Sequence, residues 1–298
     1  MKVNYSYIYL AFFLLLNIFN FVDRNLLIAF APQIKSEFNL TNVQWGLLTG
    51  VYFLFFYSVF GILMGVLGDK FSRMKIAAAG VFLWSLMTAF TGVAKNFSHL
   101  IVARALIGVG ESALTPNAIS MLSDLFNQNK RGTASAIYYL GIPLGVGFGM
   151  LIAAFFGPVF GWRSVFITLG LIGMGLGIVT YFLLEPKRGQ LDVSFYEDNN
   201  SASIREIVSM TKHALYNSKC LTFAIIGSIF LHIPLGAGNF EVLWAVNERG
   251  FTASSYNFLF GIFFILGGTV GAVLGGVLSD RLSHYFKGGV MTFLVISY

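Results

Sequence analysis

Eight runs of about 20 apolar residues decide what this chain can fold into, near 8–31, 44–68, 76–95, 99–124, 131–156, 162–184, 221–246 and 255–278. A ninth begins near 289 and runs to Tyr298. A helix rises about 1.5 Å per residue, so each run covers the roughly 30 Å thickness of a bilayer's hydrocarbon. Backbone groups in lipid must satisfy one another, and an apolar run of this length does so as a helix. Residues are 56% hydrophobic and 11% charged, which excludes an ordinary water-soluble domain. The sequence therefore predicts an all-α membrane protein.

The first run has the outline of a secretory leader, with Lys2, an apolar core and Ala29-Phe30-Ala31 as a cleavage box. Pro32 directly after that box and Asp23-Arg24 within the core argue for a retained helix. Cys220 is the single cysteine, which excludes an internal disulfide and a cysteine-based metal cluster. No cofactor or metal motif stands out. The net charge of +6 sits in short loops rather than on one face, so it reads as topology and not as a nucleic-acid surface. With the N-terminus inside, thirteen loop bases fall on the cytoplasmic side and four, Lys35, Lys95, Arg163 and Arg249, on the outer side. That asymmetry predicts a cytoplasmic N-terminus, and the expected location is a bacterial inner (plasma) membrane.

Two loops share a phrase. Gly65-Val66-Leu67-Gly68-Asp69-Lys70-Phe71-Ser72-Arg73 joins the second and third runs, and Gly276-Val277-Leu278-Ser279-Asp280-Arg281 ends the eighth. Glycine, three residues, aspartate, then a base, at corresponding places, points to a duplicated unit. The phrase resembles the cytoplasmic loop signature of the major facilitator superfamily of secondary transporters. The resemblance implies two six-helix halves that rock about a central site. It yields a complete N-terminal half at 1–184, a linker at 185–220, and two to three helices of a second half at 221–298. In the linker, Ser203-Ile204-Arg205-Glu206 has capping-box spacing, and Ile204, Ile207, Val208, Thr211 and Leu215 share a helical face. An amphipathic helix under the membrane or a plain linker fits equally. Gly65, Asp69, Lys70, Arg73, Gly276, Asp280 and Arg281 are the expected conformational residues, because carboxylates and bases at helix ends pair in one state only.

Ionisable residues inside apolar runs need a reason, since each isolated charge costs several kcal/mol or more in hydrocarbon. Asp23 and Arg24 lie in the first run, preceded by Asn17 and Asn20. Arg104 and Glu111 lie seven residues apart in the fourth, on one helical face. At about 1.5 Å per residue the two fourth-run charges bracket the first-run pair in depth. Two acids and two bases facing one cavity form a neutral quartet. Protonating Asp23 or Glu111 would free an arginine to bind an anionic group with two parallel hydrogen bonds. Helix locking is the rival reading. His232, next to Pro234, either lines the cavity or packs; Glu241 lies towards the outer end, where solvent suffices for it. Glycines at 141, 145, 147 and 149, and at 267, 268, 271, 275 and 276, suit close helix approach rather than a phosphate loop.

Asn20-Phe21-Val22-Asp23-Arg24, Arg104-Ala105-Leu106-Ile107-Gly108-Val109-Gly110-Glu111-Ser112 and Tyr138-Tyr139-Leu140-Gly141-Ile142-Pro143-Leu144-Gly145 resemble the spinster branch of that superfamily. Gly161-Trp162-Arg163 and Glu185-Pro186-Lys187-Arg188-Gly189 fit as well. The resemblance implies transport of a lysolipid-like or sphingoid-like molecule, coupled to protons through Asp23, by a protein that is monomeric and lies among membrane lipid. Proton-coupled organic anion symporters share part of the pattern, although their Trp-Phe-Pro continuation after Pro116 is missing. An enzyme is disfavoured: there is no His-Glu-x-x-His and no Gly-x-Ser-x-Gly. A scaffold or receptor would have no need of the quartet. Complete family members have twelve spans, so these 298 residues are expected to be a fragment that does not transport alone.

Overall fold

The computed structural model describes residues 2–191, 209, 213 and 216–282. The ninth run, and the expected linker helix apart from 209 and 213, lie outside the described residues. Among the described residues every regular element is helical. The helices are α1 Lys2–Ala29, α2 Ala31–Glu37, α3 Asn42–Gly46, α4 Tyr52–Lys70, α5 Arg73–Gly92, α6 Phe97–Glu111, α7 Leu114–Leu125, α8 Gln128–Tyr139, α9 Gly141–Phe182, α10 Lys219–Ala237, α11 Glu241–Arg249 and α12 Ala253–Leu282. A π-turn, Leu47–Val51, joins α3 to α4 without a break.

Among the described residues six stretches are long and apolar enough to cross a membrane. The fifth, Gln128–Phe182, holds 55 residues, about 80 Å if straight, and so must be two crossings. The chain folds back at Gly161, whose φ of +75° suits glycine and few other residues. Trp162 and Arg163 then tie the reversal down. The Trp162 indole N–H donates to Glu37 at 2.9 Å, and Arg163 donates to Glu37 and to the carbonyls of Gly92 and Ala94 at 3.0 and 2.8 Å. Hydrogen bonds from Arg163 hold the Glu37 carboxyl below the usual carboxylate range, against the opposing effect of partial burial. The Gly-Trp-Arg phrase is thus a lock among three loops on the side opposite the N-terminus.

The fourth run matches one crossing-length stretch, Phe97–Leu125, with a turn at Ser112–Ala113, one turn before Pro116, where proline cannot donate to the carbonyl four residues back. The seventh does not run through 221–246. A 3₁₀ turn at Gly238–Phe240, following Pro234 and Gly236, separates α10 from α11.

Lipid removes much of the hydrophobic gain from helix pairing, leaving close packing to hold helices together. Helix α9 shows how. A Cβ on Gly141 would meet the Asn17 side chain at 2.7 Å, one on Gly145 the Ile18 carbonyl at 2.5 Å, and one on Gly149 the Val22 carbonyl at 3.0 Å. The constant offset of 124 residues between Asn17, Phe21 and Asn25 and these glycines means that α1 and α9 run parallel. A different face of α9 meets α12 antiparallel, through Gly147 against Gly261 and Ile265 and through Pro143 against Gly268. One helix thus packs within the first half along one stripe and against the second half along another.

Two apolar clusters fill the interior. One, on the side opposite the N-terminus, includes Leu26, Phe30, Ile34, Trp45, Phe166 and Val242. The other, on the N-terminal side, includes Phe13, Leu16, Met74, Trp84, Leu114 and Tyr138. The charged residues lie in the layer between them.

Candidate functional site

Four helices build that layer. Helix α1 supplies Asn20, Asp23 and Arg24, α6 supplies Arg104 and Glu111, α4 supplies Phe53 and Tyr57, and α5 supplies Thr88. Apart from Arg24, the charged members are at most 5% exposed. Arg24 and Glu111 form an ion pair, Nε to Oε2, at 2.5 Å. The Arg24 guanidinium lies 4.9, 4.8 and 4.6 Å from the ring centres of Phe21, Phe53 and Tyr57. The Arg104 guanidinium lies 4.4 Å from Phe53, so one ring faces both cations and offsets part of their repulsion.

Asp23 follows a different direction. Consecutive residues on a helix point about 100° apart, so Asp23 and Arg24 cannot share a pocket. Asp23 turns to α5, where the Thr88 hydroxyl donates to its Oδ2. The same hydroxyl lies 2.9 Å from the Trp84 carbonyl, so one proton stands between two acceptors. Asp23 Oδ1, Arg104 Nε, Glu111 Oε1 and Asn20 Nδ2 are all buried without a hydrogen-bond partner. Asn20 nevertheless neighbours Glu111. Asn17 is not part of the layer: its amide donates to the Tyr138 carbonyl at 2.8 Å, where α8 gives way to α9.

Two cavities meet at this layer. A small one, about 10 Å³, lies against Asp23, Thr91 and Arg104. A large one, about 830 Å³, is lined by Arg24 and Arg104 from the first half and by Phe240, Glu241, Trp244 and Phe264 from the second. Arg104 borders both, and the large volume is of the size that takes a small-molecule ligand. The large cavity is closed on the side opposite the N-terminus. There the Trp45 indole N–H donates to the Asn239 carbonyl at 2.9 Å, the Asn257 amide donates to the Ala29 carbonyl at 3.0 Å, and α11 buries Val242 and Leu243.

On the N-terminal side the loop phrase is built around Arg73. It is 4% exposed and donates to Asp124 at 2.6 Å, Glu185 at 2.9 Å, Ser120 at 2.9 Å and the Pro186 carbonyl at 3.1 Å. Burial pushes the Glu185 carboxyl up, but hydrogen bonds from Ser72 and Arg73 and the Arg73 charge outweigh it and hold it below its ordinary range. Arg188 caps the end of α4 by donating to the carbonyls of Gly68, Asp69 and Phe71. A Cβ on Gly68 would meet the Asn117 amide oxygen at 2.3 Å, so a larger residue there requires that side chain to turn away. Asp69 and Lys70 themselves are exposed, and Gly65 has open space beside it. The backbones of His232, Gly276, Asp280 and Arg281 lie in α10 and α12, and their side chains lie outside the described residues.

Sequence reasoning placed all four charges of the quartet in one layer, which is where the structure puts them. It missed Thr88, the aromatic cover over the arginines, and the Asp124 and Glu185 partners of Arg73. A hydroxyl or an aromatic ring in an apolar run carries no signal of its own there.

A sequence profile of the Major Facilitator Superfamily matches residues 13–298. The chain is similar to protein spinster of Drosophila melanogaster, 28% identical over 281 residues, covering 89% of this chain and 44% of the fly protein. It is similar to the sphingosine-1-phosphate transporter SPNS2 of Danio rerio, 27% identical, covering 88% of this chain and 54% of the fish protein. A probable L-galactonate transporter of Escherichia coli (strain K12) is 31% identical over 166 residues, 56% of this chain and 36% of that protein. The chain thus spans about half the length of the curated relatives it matches. Among solved structures, a bacterial homolog to the human lysosomal transporter spinster, inward-facing and unoccupied, superposes with a TM-score of 0.80 at 26% identity, covering 95% of this chain and 64% of that one.

Proposed function

Because this chain belongs to the Major Facilitator Superfamily, we propose that it forms part of a spinster-like, proton-coupled transporter of an amphiphilic anion, working by alternating access with its N-terminus in the cytoplasm. One observation carries the reading: Arg104 borders both the large apolar-walled cavity and the small void at Asp23. A proton taken by Asp23 changes the field at Arg104, and Arg104 in turn meets the ligand's anionic group. Glu111 is held in its pair with Arg24 and acts as the second carboxylate of the relay. The closed contacts at Trp45 and Asn257 leave the cavity to open towards the N-terminal side, as in an inward-facing state. The apolar and aromatic walls favour an amphiphile over a sugar acid.

The intact transporter in liposomes with an imposed pH gradient tests this. Addition of a lysophosphate amphiphile should raise proton flux several-fold over vesicles without protein. Flux driven instead by a hexonate such as galactonate would replace the amphiphile with a polar organic anion. No flux with either would end the proton-coupled reading.

We assign the loop residues to the conformational balance. Asp69, exposed in this state, is free to find a partner in the other one. Asp69→Ala should change turnover far more than equilibrium affinity, and a defect confined to affinity would overturn the assignment. Arg73→Ala should differ by also lowering thermal stability, since removing one member of a buried ion pair costs about 3–5 kcal/mol.

A further inference from the structure

The small void beside Asp23 has polar walls on three sides. Asp23, Arg104 and Thr91 border it, each at most 5% exposed. The apolar cluster on the side opposite the N-terminus supplies the rest of its wall, through Leu27, Leu48, Leu100 and Phe166. Helix α5 turns two hydroxyls, three residues apart, towards the same carboxylate. Thr88 donates to Asp23 Oδ2, and Thr91 stands one turn further along, at the void. Asp23 Oδ1 and Arg104 Nε are buried without a hydrogen-bond partner, on side chains that border this one space. A buried donor or acceptor left unmet costs about 1–3 kcal/mol, and more when it carries charge. The Thr91 hydroxyl gives its proton to the Met87 carbonyl at 2.9 Å, which leaves its oxygen as an acceptor. One N–H donor and two oxygen acceptors therefore surround the void, the complement of a water molecule. Its volume of about 10 Å³ suits one water and not a chain of them. A cation there would stand against the Arg104 guanidinium, and an anion against the Asp23 carboxylate. A neutral molecule of the size of water meets neither objection.

We propose that this void binds a single water molecule that bridges Asp23 to Arg104, accepting from the Arg104 Nε–H and donating to Asp23 Oδ1 and to the Thr91 hydroxyl. The proposal rests on the reading of Asp23 as the proton site, and it says how the charge of Asp23 reaches Arg104. An ionised carboxylate is a strong acceptor and holds the water, which holds the guanidinium in turn. A neutral carboxyl accepts less well, so protonation loosens the bridge and leaves Arg104 freer to meet an anion in the large cavity that it also borders. Thr91 is then a positioning residue, acting on Asp23 through the water. The charged groups that act on Asp23 are Glu111 and Arg104 of α6 and Arg24 of its own helix. A change at Thr91 alters none of them.

Two measurements on the intact transporter test this. A density map at a resolution that shows ordered water should have one peak in the void, about 3 Å from Asp23 Oδ1, Arg104 Nε and the Thr91 hydroxyl. A peak about 2.4 Å from the oxygens would mean a metal cation, and no peak a dry void. Either result would overturn the proposal and leave Asp23 standing as the proton site. The second measurement is the pH profile of proton-driven transport in liposomes. Thr91→Val keeps the shape of the side chain and removes the acceptor, while the Met87 carbonyl keeps its backbone bond within α5. It should move the pH of half-maximal transport about one unit to the alkaline side, a tenfold change in proton concentration, because the ionised Asp23 loses a well-held donor. Thr91→Ser retains the hydroxyl and should keep the wild-type profile. A profile unmoved by Thr91→Val, or moved equally by Thr91→Ser, would overturn the proposal. If Asp23→Asn keeps the wild-type pH profile, the proton reading itself falls and the bridge loses its role with it, whatever the map shows.

Discussion

On the proposed mechanism, Asp23→Asn should abolish proton-driven transport while the protein still inserts, folds and exchanges ligand down its gradient. Asparagine has nearly the shape of aspartate, and its amide oxygen still accepts from the Thr88 hydroxyl, so the packing of α1 on α5 survives. What disappears is the ability to change charge. On the proposed mechanism, the hydrogen-bond pattern favours this carboxylate over Glu111 as the proton acceptor. The single Thr88 proton is shared between Asp23 and the Trp84 carbonyl. Once Asp23 is protonated at Oδ2 it donates to Thr88, and Thr88 donates wholly to Trp84, so the two hydroxyls and the Trp84 carbonyl no longer compete for one proton. Glu111 has no such arrangement, because protonation there would weaken the 2.5 Å pair with Arg24. Accumulation against a gradient should fall to background, at least tenfold, in a vesicle assay, and counterflow should remain within a few-fold of wild type. Unchanged pH dependence of transport in the variant would refute the assignment. Thr88→Val removes the shared proton but not the carboxylate, and it should shift the pH profile without abolishing coupling.

Gly145→Ala should destabilise the protein although it adds a single methyl group. In an unobstructed helix the change from glycine to alanine gains about 1 kcal/mol. At position 145 the new Cβ would stand 2.5 Å from both the Ile18 carbonyl and the Phe21 Cβ. Neither can rotate away, since one is backbone and the other is the first atom of a side chain. Helix α1 must therefore move off α9, and overpacking of this sort costs about 1–3 kcal/mol or more. The same shift carries Asn20, Asp23 and Arg24 away from α5 and α6, so transport falls along with stability. Gly175→Ala, on the return crossing beyond Gly161, is the control, since nothing lies within 4 Å of its Cβ position. In a detergent melting experiment Gly145→Ala should lose several degrees and Gly175→Ala should gain slightly. Equal melting temperatures for the two would show that α1 and α9 have slack that the structure does not display.

The pair of predictions separates two ways in which the layer is sustained. The charges are fixed by partners on other helices, and the helices are brought within reach of one another by missing side chains. Glycine placement is visible in the sequence, but its meaning is not. Gly145 and Gly147 stand two residues apart, yet one serves contact within the first half and the other contact between halves.

The sequence by itself determined the all-helical membrane architecture, because a run of about 20 apolar residues has one stable arrangement in lipid. It also pointed to Asp23, Arg24, Arg104 and Glu111 as one group, since charges at matching depth in hydrocarbon need a shared cavity or each other. Tertiary structure decided the pairing. Arg24 pairs with Glu111, 87 residues away, and not with adjacent Asp23, because neighbours on a helix diverge by about 100°. It placed Glu241, expected at a solvated end, in the wall of the large cavity, directly after the 3₁₀ turn at Gly238–Phe240. Apolar periodicity is set by lipid and core alike, so which face of a helix meets lipid, a neighbour or a cavity is fixed only when the helices pack.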